Sequence, residues 1–85
     1  MASNIDETLQ ERQQTYGDFR DVAASAVLIR DLLISRQYHF VQEEALTMIA
    51  NKLARIINGD PDYPDSWRDI AGYAMLVVAE LEKPQ

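Results

Sequence analysis

The sequence predicts an all-α protein, a small bundle of three main helices with a short N-terminal helix, assembled as an oligomer. Three observations predict it. Glycine is scarce, with 3 in 85 residues, whereas the helix-favouring Ala and Leu, together with Ile, are abundant. Apolar residues recur at three- and four-residue spacing through three long segments. Gly17, Gly59 and the proline-bearing run 60–64 divide those segments, and such residues end one helix and allow the next to start.

Residues 1–85 read as a single domain, near the size at which one core gives only a few kcal/mol of net stability. The absence of cysteine excludes disulfides and thiolate metal sites. The start Met1-Ala2-Ser3-Asn4-Ile5-Asp6-Glu7 lacks the basic and apolar regions of a signal peptide, and no apolar run approaches the ~20 residues of a membrane span, so a cytoplasmic location is expected. Asp plus Glu number 14 against 8 Lys plus Arg. This balance argues against duplex nucleic acid or an anionic membrane as partner, because phosphate binding relies on clustered cations. A nucleotide, or a basic protein surface, stays open.

Asn4 followed by Glu7 has the form of a capping box, predicting a short, mostly polar helix over 5–14. Gly17 ends that unit and Asp18 caps a helix over 18–36. In the latter, Phe19, Val22, Ala26, Ile29 and Leu33 form one apolar stripe. Val27, Leu28, Leu32 and Ile34 lie largely outside it. A helix apolar on most sides requires cover on most sides, and a second copy of the chain is the simplest cover, so a homo-oligomer is predicted.

After a connector at 37–40, where His39 is read as an ordinary loop residue, a third helix is expected over 41–58. Leu46, Ile49, Ala50, Leu53, Ile56 and Ile57 form its expected buried face, with Glu44, Asn51 and Arg55 along another. The fourth helix is expected over 65–82. Trp67, Ile70, Ala74, Val77, Val78 and Leu81 share one side of it, while Asp65, Asp69, Gly72 and Tyr73 fall within roughly 80° on the other.

That polar line is the candidate chemistry. Asp65 and Asp69, one turn apart, suit a hard cation such as Mg²⁺, which takes a few carboxylate oxygens and completes its shell with water and phosphate. They also suit a helix cap and a salt bridge. Antiparallel pairing of the last two helices sets Lys52 and Arg55 opposite these acids, as phosphate-binding cations or as their salt-bridge partners, and sets Glu44 beside Glu80 at the far end. Tyr16, Trp67 and Tyr38 are candidates to stack on a base, or core aromatics. No glycine-rich phosphate loop, nucleophile motif or zinc spacing is present.

Arg12 with Tyr16-Gly17-Asp18-Phe19, then Lys52-Leu53-Ala54-Arg55-Ile56 and Asp65-Ser66-Trp67-Arg68-Asp69-Ile70-Ala71-Gly72-Tyr73, resemble a family of small phage and prophage proteins of mostly unassigned function. More distantly the pattern is similar to MazG-like all-α nucleoside triphosphate pyrophosphohydrolases. The resemblance implies a nucleotide-binding protein, located in the host cytoplasm if phage-encoded, with Mg²⁺ at Asp65 and Asp69, phosphate at Lys52 and Arg55, and base or sugar at Tyr16 or Tyr73. The Glu-x-x-Glu element of that superfamily is absent here, and Ser66 stands three residues before Asp69 where an acid is expected. A degenerate hydrolase is therefore one form of this reading. The alternative, of another class, is a non-enzymatic acidic phage protein that binds or inhibits a host protein.

Overall fold

The computed structural model describes residues 4–84, without the side chain of Asn4, so the expected Asn4–Glu7 cap lies outside the described residues. Four helices follow one another: α1 (Asn4–Tyr16), α2 (Phe19–Leu33), α3 (Phe40–Asn58) and α4 (Pro64–Leu81). No strand occurs among the described residues. The short first helix is longer than expected because its hydrogen bonding carries on until Gly17, whose N–H bonds the Gln13 carbonyl and whose φ of +88° breaks the run. A left-handed φ suits glycine because it has no Cβ to clash with the backbone. Asp18 then caps α2 by accepting from the Arg20 N–H at 2.9 Å.

His39, expected to be a plain loop residue, caps α3. Its ring nitrogen Nδ1 accepts from the Val41 N–H at 3.3 Å, and the Gln42 side chain accepts from the His39 N–H at 3.2 Å. This reciprocal cap moves the start of α3 to Phe40. At the other end, Gly59 closes the helix with its N–H on the Arg55 carbonyl. Pro64 then opens α4, with its fixed φ and missing N–H suiting a first helical position.

The helices form an open layer. α3 packs against α2 on one side and α4 on the other, while α2 and α4 do not touch one another among the described residues. Small side chains permit this close approach: Ala26 on α2, Ala45, Ala50 and Ala54 on α3, and Ser66 on α4 are buried, with Val22 the largest buried apolar residue described. Asn58 ties α2 to α3 by donating from Nδ2 to Ser25 Oγ at 2.9 Å and to the Asp21 carbonyl at 3.3 Å.

The expected buried faces of α3 and α4 are therefore only partly covered within the chain. Ala50 is buried, but Ile57 is 65% and Leu53 36% exposed. On α4, Trp67, Val78 and Leu81 are exposed, and Ile70 and Val77 are half-buried. With α2 and α4 on its two sides and α1 meeting it at the Arg55 end, α3 keeps its Leu53 and Ile57 positions uncovered within the chain. The Trp67 indole instead pins the loop before α4, donating to the Pro61 carbonyl at 2.8 Å.

Candidate phosphate-binding site

The site is built where two turns meet. The α1–α2 turn at Gly17 lies against Asn58, and the α3–α4 turn at Gly59 lies against Thr15 and Tyr16. A backbone hydrogen bond from the Asp60 N–H to the Thr15 carbonyl, 2.9 Å, joins them. Tyr16, the last residue of α1, is thereby fixed beside the end of α3 and the start of the following loop.

Two arginines converge on its ring. Arg12 is four residues earlier on α1, hence on the same helical face, and its guanidinium carbon lies 4.9 Å from the ring centroid. Arg55 reaches it from the last turn of α3, at 4.7 Å. The electron-rich ring face attracts each cation, a contact worth roughly 0.5–1 kcal/mol at exposed sites. Neither arginine forms a salt bridge among the described residues, so both keep N–H donors for an outside anion. A cavity of about 260 Å³ opens beside them, lined also by Gln13, Asn51 and Asp18. Asp18 is already engaged in capping α2.

Tyr63 meets the Tyr16 ring edge-on, with centroids 5.7 Å apart, and its hydroxyl donates to Asp65 at 3.1 Å. Tyr16 and the Asp65 carboxylate hold the Tyr63 hydroxyl in its neutral form, pushing its pKa from 10.0 up to about 12. A carboxylate beside a phenol disfavours the phenolate and favours the donor.

The sequence-predicted residues thus separate into linked pieces. Tyr16 and Arg55 line the cavity. Asp65 connects to them through Tyr63 and also accepts from Arg68 at 2.8 Å, so both of its oxygens are engaged. Lys52, largely buried, pairs with half-exposed Asp69 at 3.1 Å, as antiparallel α3 and α4 require. Tyr73 is half-buried one turn beyond Asp69, and its ring meets neither Tyr16 nor Tyr63. At the far end of α4, Glu80 pairs with Lys83 at 2.8 Å, a hydrogen bond that holds its carboxyl below the ordinary value. Glu44 is exposed. Among the described residues no group of three or more His, Cys, Asp or Glu is placed to hold a metal ion.

Arg12 and Tyr63 are members of this cluster that the site assignment from sequence did not include. The signal for Arg12 is its i, i+4 spacing to Tyr16; for Tyr63 there is none, because its position depends on the loop closing between α3 and α4.

The fold and site define a small all-α domain with an arginine- and tyrosine-rich pocket at the crossing of two turns. A family described as a domain of unknown function, DUF6378, matches residues 2–81, and the chain belongs to it. No curated protein and no solved structure matches the chain. No helix among the described residues is long and apolar enough to cross a membrane.

Proposed function

We propose that the domain binds a nucleotide through its phosphates at the Arg12–Tyr16–Arg55 cluster. The observation that carries this reading is the pair of guanidiniums, 4.9 and 4.7 Å from one tyrosine ring, that have no carboxylate partner among the described residues of a chain with net charge −6. Unpaired arginine beside a cavity presents a fork of donors matched to phosphate oxygens. The cavity lies below the ~300–1,000 Å³ of sites that enclose a whole small molecule. It accommodates the phosphate end, with the sugar and base lying outward along the strip that Tyr16, Lys52, Asp69 and Tyr73 occupy.

In this reading Lys52 is tethered by Asp69 and sets the edge of the phosphate site without being its main cation. A Mg²⁺ ion carried in by the phosphates meets Asp69, which has one oxygen outside the Lys52 pair, more readily than Asp65, whose two oxygens are both hydrogen-bonded. Mg²⁺ commonly enters sites in this manner, with one or two carboxylates and the rest of its shell from phosphate and water.

The test is a thermal-shift panel of nucleoside mono-, di- and triphosphates and inorganic phosphate, each with and without Mg²⁺. A ligand present at 100 times its dissociation constant stabilises by about 2.7 kcal/mol. The expected result is a shift that grows with the number of phosphates and falls to about half or less in Arg55→Ala. No shift with any phosphate compound would overturn the proposal.

A further inference from the structure

The layer has two unlike faces. On α3, Lys52 and Arg55 point to the face where Asp69 and Tyr16 meet them, whereas Leu53 and Ile57 lie roughly 150° around the helix. On α4 the same periodicity places Trp67 and Leu81 away from Asp69. On α2, Leu28 and Leu32 continue the row that begins with Ser25 at Asn58, away from the side where Phe19 and Val22 line the arginine cavity. These six side chains run across all three helices on one side. Leu28, Leu32, Ile57 and Leu81 are each 65–77% exposed.

We propose that this apolar face is covered by a second copy of the chain, in a symmetric dimer that sets α3 near its own mate. Three features favour that occupant. The buried residues described within one chain are five small or medium apolar ones and a serine, with no large side chain fully buried, so a single copy lacks an ordinary core. The face is as wide as the molecule. Three helices spaced 8–10 Å apart, with α3 about 28 Å long, present roughly 700 Å², close to the ~800 Å² per partner of a standard interface. A broad apolar surface that meets the same surface of its copy is what an isologous contact uses. Its centre is also free of charge, so a chain of net charge −6 meets its copy there without like-charge opposition, while the same charge disfavours an anionic lipid surface.

The nucleotide proposal concerns the opposite face, so either can fail without the other. The chain has no cysteine, which makes single-cysteine variants unambiguous reporters. Light scattering of the wild-type chain at tens of micromolar is expected to give twice the monomer mass. Leu53→Cys is expected to yield a covalent dimer with a short bismaleimide, and Gly72→Cys, on the other face with nothing within 4 Å, is not. Leu53→Glu is expected to sediment as monomer. A monomeric wild type, even one that recruits a different protein to this face, overturns the proposal. So does a dimer that persists in Leu53→Glu, or cross-linking through Gly72→Cys in place of Leu53→Cys.

Discussion

Gly17 and Asn58 lie so close that a Cβ on Gly17 would sit 2.5 Å from the Asn58 carbonyl oxygen. This contact, with Gly59 against Thr15 and Tyr16, locks the α1–α2 turn onto the end of α3. The arginine pocket depends on that lock, because it holds Tyr16 between Arg12 and Arg55. Gly17→Ala is expected to cost more than the ~1–2 kcal/mol of a left-handed non-glycine residue, since steric overlap adds to the backbone strain. Chemical denaturation checks this. Asn58→Ala, which leaves the close approach intact but removes the link to Ser25 and Asp21, is expected to cost about 1–3 kcal/mol.

Arg55 is half-buried and Arg12 exposed, so they are expected to contribute unequally to anion binding. Hydrogen bonds to charged groups are worth about 1.5–3 kcal/mol, so Arg55→Ala is expected to weaken nucleotide affinity roughly tenfold to a hundredfold, and Arg12→Ala less. Calorimetric titration measures both. Equal affinity in Arg55→Ala and wild type would place the phosphate elsewhere.

Gly72 lies mid-helix on α4 with nothing within 4 Å of the position a Cβ would take. Gly72→Ala is therefore expected to stabilise the protein by about 0.5–1 kcal/mol, the usual gain from removing a helical glycine. Thermal melting of the unliganded protein reports it. A loss of nucleotide-induced shift in the same variant would mark Gly72 as the point where ligand approaches the α4 backbone.

Tyr63 gives the protein a distinct alkaline signature. Its pKa stands at about 12 against an ordinary 10.0, so the neutral hydroxyl is favoured in the folded state. Its stabilising effect is therefore fully present below pH 10.0 and is lost as pH rises towards 12. Tyrosinate absorbance is expected to show a late titration step, and Tyr63→Phe to remove it.

The sequence by itself determined the helices. Three- and four-residue apolar spacing, Gly17, Asp18, Gly59 and Pro64 set their number and nearly their ends, because each signal acts within a turn or two of chain. It also set Lys52 and Arg55 opposite Asp65 and Asp69, since a short loop forces α3 and α4 antiparallel; of these pairings the structure forms Lys52–Asp69. The cap at His39 was hidden because an imidazole seldom serves as an N-cap acceptor.

Only the tertiary structure decided which stripes are covered. Periodicity marks Leu53, Ile57, Trp67 and Leu81 as apolar, but their exposure depends on α2 and α4 flanking α3 without closing over it, a relationship between segments that are distant in the chain. It decided likewise that Arg55 turns to Tyr16 and not to Asp65 or Asp69, and that Tyr63 joins them, because both contacts require two glycine turns to pack at van der Waals distance. Local patterning fixes what a helix offers; the crossing of two loops fixes which offers meet.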